Sequence, residues 1–95
     1  MPDAFDVTHD PVTGRFEIRT STGTALLKYR YRGADLELLH TGVPDALEGH
    51  GYGAALARAA LDYARRERLK VIPSCPFVSA YLRRHPEYAD LVAAA

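Results

Sequence analysis

The chain has a single cysteine, Cys75, no excess of either charge and no long apolar run. Each scarcity excludes something. One thiol cannot form an intramolecular disulfide. The 12 basic and 12 acidic residues cancel, which disfavours a strongly basic nucleic-acid binder and an acidic tail alike. No stretch approaches the roughly 20 apolar residues that cross a bilayer. Met1-Pro2-Asp3-Ala4 offers neither a charged nor an apolar leader segment, so cytoplasm is the expected location. There is no internal repeat, linker or low-complexity tract. What remains is 95 residues, 47% of them hydrophobic, enough for one core and one domain over residues 1–95.

The pattern of the chain changes half-way. Phe5 to His9 alternates weakly as a first strand, and Asp10-Pro11-Val12-Thr13-Gly14 is turn chemistry. Arg15 to Thr20 alternates through Phe16 and Ile18, and Ser21-Thr22-Gly23 turns again. Thr24 to Arg32 sets Lys28, Arg30 and Arg32 on one face and Tyr29 and Tyr31 on the other. Gly33-Ala34-Asp35 leads into an apolar strand, Leu36 to Val43, stopped by Pro44. Short turns between these four segments predict an antiparallel meander.

Helical spacing then takes over. Gly51 to Arg68 reads as the main helix, with Leu56, Ala59, Ala60 and Tyr63 as its buried stripe and Asp62 to Arg66 as an i, i+4 ion pair. Leu69 to Ile72 is a short strand ended by Pro73. A strand, helix, strand order places it parallel to Leu36–Val43. A second helix over Phe77 to Arg84 ends at Pro86, and Tyr88 to Ala93 is a short turn or helix. The sum is an α+β domain.

The richest segment lies between the fourth strand and the main helix: Glu48-Gly49-His50-Gly51-Tyr52-Gly53. A helix start carries orphan N–H donors and partial positive charge. Glycines let an anion approach them without meeting a Cβ. Strand, glycine turn and helix therefore predict a cradle for a phosphate-bearing ligand. The spacing is not the dinucleotide fingerprint, and no Gly-Lys-Ser/Thr follows as in a phosphate loop. A tight strand-to-helix connection would use glycines too.

The combination of His40-Thr41-Gly42-Val43-Pro44, Gly49 to Gly53, Pro73-Ser74-Cys75, Tyr81 and Pro86-Glu87-Tyr88 resembles the small GNAT-like family of acetyl-CoA-dependent acetyltransferases. The resemblance covers essentially the whole chain. It implies a minimal GNAT-like fold with about four antiparallel strands, a crossover helix, a parallel fifth strand and a C-terminal helix. It implies that the backbone of Gly49, His50, Gly51, Tyr52, Gly53 and Ala54 holds the CoA pyrophosphate. It also implies that backbone groups of Thr41, Gly42 and Val43 pair with the pantetheine arm, where the fourth and fifth strands splay. Glu48 departs from the Gln or Arg that the superfamily prefers, and is expected to point away or to cap the helix. His50 reads either as a phosphate donor or as a solvent-facing turn residue.

Three side chains are candidates for chemistry. His40 sits near the C-terminal end of the fourth strand and Cys75 follows the fifth, strands expected to be parallel neighbours, so both could reach the mouth of one splay. An imidazole there would activate the thiol as a nucleophile that takes the acetyl group. Two other readings stay open: Cys75 as a packed core residue, and His40 as general base for direct transfer to an amine. Tyr81 matches a position where many GNAT enzymes keep a general acid, and reads equally as a core tyrosine. Arg83, Arg84 and His85 suit the negative end of their helix, with contact to the CoA 3′-phosphate as a second reading.

The expected function is acetyl transfer from acetyl-CoA to an amine, small molecule or peptide, with no metal, nucleic acid or membrane partner, by a monomer or homodimer. The alternative is a non-catalytic CoA-binding or partner-docking module on the same scaffold. A nucleic-acid-binding domain is disfavoured by the balanced charge.

Overall fold

A computed structural model describes residues 5–93. The reading of Met1–Ala4 lies outside that range. One sheet holds five strands in chain order: β1 (Thr8–Asp10), β2 (Arg15–Thr20), β3 (Gly23–Arg32), β4 (Asp35–Gly42) and β5 (Val71–Pro73). The first four are antiparallel neighbours, and β5 runs parallel to β4. Helix α1 (Tyr52–Arg66) makes the crossover between β4 and β5, and α2 (Pro76–Arg84) follows β5. A 3-10 segment, Pro86–Leu91, comes next. This is the α+β architecture the sequence predicts.

Period-two alternation divides the sheet into two faces. Phe16 and Ile18 of β2, and Ala25, Leu27 and Tyr29 of β3, are buried on the inner face. There α1 packs against β2, β3 and β4, and α2 against β4 and β5. Lys28, Arg30, Arg32 and His40 are exposed on the outer face. Glu37 is the exception on that side. Its buried carboxylate accepts hydrogen bonds from Arg30 Nε (2.8 Å) and from the Ser74 hydroxyl, with Arg32 at 3.7 Å.

Several expected details shift. The first strand is shorter than Phe5–His9, and the fifth is Val71–Pro73 rather than Leu69–Ile72. The buried stripe of α1 is Leu56, Ala57, Ala60, Leu61 and Ala64, while Ala59 and Tyr63 sit half-buried at its edge. The helix ends at Arg66 because Arg68 adopts a left-handed conformation (φ 58), which lets the Leu69 N–H reach the Ala64 carbonyl at 2.8 Å. Asp62 does not pair with Arg66. It accepts a 2.7 Å hydrogen bond from the Tyr88 hydroxyl and lies 3.8 Å from Arg58. Arg65 holds both carboxylate oxygens of Asp90, each at 3.1 Å, clamping the C-terminal segment to α1.

One irregularity fixes which residues face which way at the end of β4. Tyr31 pairs with Leu36 and Tyr29 with Leu38, but Lys28 pairs with His40 and Leu27 with Thr41. Leu39 is an extra residue on β4, a β-bulge. Directly paired residues share a face, so Leu36, Leu38 and Thr41 point inward while His40 and Gly42 point outward. Strict alternation would have turned His40 in and Thr41 out.

The ladder to β5 is short. It runs from Leu36–Val71 to Leu38–Pro73. The Ser74 N–H turns back to Ile72 and the Cys75 N–H donates to the Leu38 carbonyl (2.9 Å). Beyond Leu38 the two chains part as β5 turns into α2. The splay is therefore set where the chain leaves β5 after Pro73 and turns into α2.

Candidate active site

The segment after β4 forms a 3-10 turn, Asp45–Leu47, and then the glycine turn. Gly49 (φ 80) and Gly51 (φ 89) both hold left-handed backbone that other residues adopt with strain. Gly51 is the N-cap of α1, and no side chain caps that end. The first N–H groups of α1 therefore lack an intrahelical partner. Gly53 serves a different purpose. A Cβ there would lie 2.8 Å from Cζ of Phe77, so the missing side chain is what lets the Phe77 ring seat against α1.

A cavity of about 450 Å³ opens between this turn, the inner side of β4 and Phe77. Thr41 and Val43 form one wall, and Glu48, Gly49 and Gly51 to Ala54 the other. Nothing lies within 4 Å of where a Gly49 Cβ would be, so an anion has open access to that backbone. Glu48 is among the residues lining the cavity, and it does not cap α1. His50 is exposed and is not part of the lining.

Cys75 does not line this cavity; it lies behind the wall that Thr41 forms. It is the N-cap of α2, buried, with its Sγ 3.4 Å from Thr41 Oγ1. Burial pushes the thiol up, but the Thr41 hydroxyl and the N–H groups of Val78 and Phe77 outweigh it, so the net shift is downward. A helix start and a hydroxyl donor both favour thiolate.

His40 is not brought to Cys75. The bulge turns it onto the outer face, where it lines a separate groove with Lys28 and Gly42, and a Gly42 Cβ would lie 3.3 Å from His40 Nε2. Thr41 takes the place beside the thiol that the sequence assigned to His40. Gly42 leaves the glycine-turn cavity for the same reason. Tyr81 lies one cavity further along α2, with Ala54, Phe77 and Arg84, its ring stacked on His85 at 4.0 Å. Burial raises its hydroxyl above the ordinary range.

With this geometry in view, likeness to known proteins can be weighed. The sequence profile of GCN5-related N-acetyltransferases matches residues 15–91. The chain belongs to the GCN5-related N-acetyltransferase family. It is 37% identical over 83 residues to mouse Protein NATD1, covering 84% of this chain and 76% of the relative. Zebrafish (Danio rerio) Protein NATD1 is 34% identical over 91 residues, covering 90% and 83%. A GCN5-like protein from Staphylococcus aureus, solved by NMR, superposes with a TM-score of 0.74 at 29% identity, covering 96% of this chain and 90% of that one.

Enzymes of the GCN5-related N-acetyltransferase family generally use acetyl-CoA, and the inner cavity suits such a group: an uncapped helix start and open backbone at Gly49. Among the described residues no group of three or more His, Cys, Asp or Glu is arranged to hold a metal ion, and no helix is long and apolar enough to cross a membrane. Two features of this GCN5-related domain escaped the sequence reading. The contact of Phe77 with Gly53 has no local signal, because the residues meet across two helices. The bulge had one: Leu38-Leu39 interrupts the two-residue alternation of β4.

Proposed function

We propose that this chain is an acetyl-CoA-dependent N-acetyltransferase acting on an amine. The observation that carries the reading is the inner cavity, with the uncapped α1 start along one wall and Thr41, whose hydroxyl lies 3.4 Å from the buried Cys75 Sγ, on the other. In this proposal the backbone from Gly49 to Ala54 holds the pyrophosphate. The free inner edge of β4 around Thr41 to Val43 pairs with the pantetheine amides. Glu48 is a liability near a pyrophosphate, and the backbone donors must outweigh it.

Cys75 is the proposed nucleophile. Its thiolate attacks the acetyl carbonyl, the CoA thiolate leaves and takes up a proton, and an amine then attacks the Cys75 thioester and restores the thiol. Thr41, not His40, is the neighbour that supports the thiolate. His40, on the outer side of β4, does not reach that thioester and is left as the base for direct transfer from acetyl-CoA to an amine. Tyr81 belongs to this scheme only as a wall of the neighbouring cavity.

Calorimetry with acetyl-CoA tests the binding; no heat of binding at millimolar ligand rejects it. Mass spectrometry tests the covalent step. An acetyl adduct should form on Cys75 and vanish in Cys75→Ala, whereas normal turnover by Cys75→Ala rejects the thioester and leaves direct transfer. The separation of His40 from Cys75 favours one other reading, a CoA-binding module without turnover. Binding of acetyl-CoA with no CoA release across a panel of amines and peptides would establish it.

A further inference from the structure

The outer side of β4 breaks a rule of sheet construction. Arg15 of β2 pairs with Lys28 of β3, and Lys28 pairs with His40 of β4. Three basic side chains thus stand abreast across three neighbouring strands, about 5 Å apart. Like charges directly opposite one another are destabilising. Of the carboxylates on this face, only Glu17 reaches the row, at Arg15. Glu17 lies 3.4 Å from Arg15 and is shared with Arg19 at 3.3 Å, and Glu37 is held by Arg30, Arg32 and Ser74. Lys28 has no ion-pair partner among the described residues. A groove of about 340 Å³ opens along β3 and β4 from Lys28 and His40, past Leu26 and Gly42. It meets the inner cavity at Val43, which lines both.

We infer that this groove is the acceptor site and that the acceptor is a small amine carrying an anionic group, a carboxylate or a phosphate. The inference rests on the acetyltransferase reading above, in its direct-transfer form, and gives it a substrate class. Lys28, supported by Arg15, holds the oxyanion through charge-assisted hydrogen bonds. His40, at the end of the row nearest the splay, faces the amine. The pairing of Lys28 with His40 sets the distance between anion and amine near one strand spacing, roughly 5 Å. A plain cationic amine gains nothing there and meets the repulsion of the row.

Matched amines that differ only in the anion provide the test: phosphoethanolamine against ethanolamine, and β-alanine against propylamine. With the intact protein and acetyl-CoA, the anionic member of each pair should have kcat/KM at least ~10-fold higher, mainly through KM. Lys28→Gln should bring each pair to within about 2-fold, Lys28→Arg should keep the gap, and half-molar salt should shrink it. Equal or better use of the uncharged-tail amines, or a gap untouched by Lys28→Gln, overturns the inference.

A binding readout covers the case of no turnover. In amide NMR of the CoA-loaded chain, phosphoethanolamine should shift Leu26, Lys28 and Gly42, and ethanolamine should not. No shift at tens of millimolar, or shifts at Gly49 to Ala54 instead, overturns it, the latter because the phosphate has chosen the glycine turn. Acetyl-CoA affinity measured by calorimetry should be the same in Lys28→Gln. If acetyl-CoA fails to bind at all, the acetyltransferase reading falls, while the phosphoethanolamine titration of the free chain still reports on the groove.

Discussion

The end of β4 divides two cavities that are made by different means. On the inner side, the proposed recognition comes from backbone: two glycines in left-handed geometry, an uncapped helix start and the free edge of a strand. On the outer side it comes from side chains: Arg15, Lys28 and His40 abreast on an open sheet. A backbone site depends on dihedral angles and clearance and resists changes of salt or of surface residues. A side-chain site depends on charge and responds to both. The two meet at Val43, so one strand end separates a geometric device from an electrostatic one.

This contrast can be broken first at its geometric side. Gly51→Val places a β-branched residue at φ 89 and toward Phe5, whose ring is 3.5 Å from the new Cβ. Acetyl-CoA affinity should fall by ~100-fold in calorimetry. Less extreme is Gly53→Ala, which pushes the Phe77 ring off α1. A loss of about 5-fold is expected, recovered in part by adding Phe77→Ala, since the fault is a clash and not a lost contact.

At the boundary itself, Thr41→Val removes the hydroxyl beside Cys75. The pH midpoint for alkylation of Cys75 by iodoacetamide should move up, with a rate about 3-fold lower at neutral pH. The smallest effect belongs to the electrostatic side. Glu37 is held below the ordinary carboxylate range by hydrogen bonds from Ser74 and Arg30, opposed by burial. A depressed carboxylate contributes stability above its unfolded value, near pH 4.3, and loses it as pH falls through the folded value. Melting temperature should therefore drop on acidification below about pH 4, and Glu37→Gln should show a shallower drop from a lower starting point. Equal acid slopes in the two proteins would mean that Glu37 is not part of the pH response.

The same contrast explains what could be read from sequence. The meander, the crossover helix, the parallel fifth strand and the glycine turn were legible because each rests on local chemistry: alternation, helical spacing and turn residues. Thr41, Val43, Gly49 and Gly51 to Ala54 line the inner cavity, while His50 does not. His40 and Gly42 do not, because their orientation depends on a register set by pairing with β3. The basic row was half visible. Lys28, Arg30 and Arg32 stood out on one face of a strand, but only the register brings Arg15 and His40 beside Lys28. Asp62 was matched to the wrong partner because Tyr88 reaches it from a segment 26 residues away.

Leu39 acts on β4 as a frameshift acts on a message. Pleating is read in twos, and one extra residue changes the phase of all that follows. Everything upstream of it keeps its assignment; everything downstream exchanges sides. A relative could therefore keep His40-Thr41-Gly42-Val43-Pro44, the glycine turn and Cys75 letter for letter and yet, lacking that one residue, present the imidazole to the thiol and the hydroxyl to solvent. Two such proteins would share every motif and differ in which group meets the acetyl carbon.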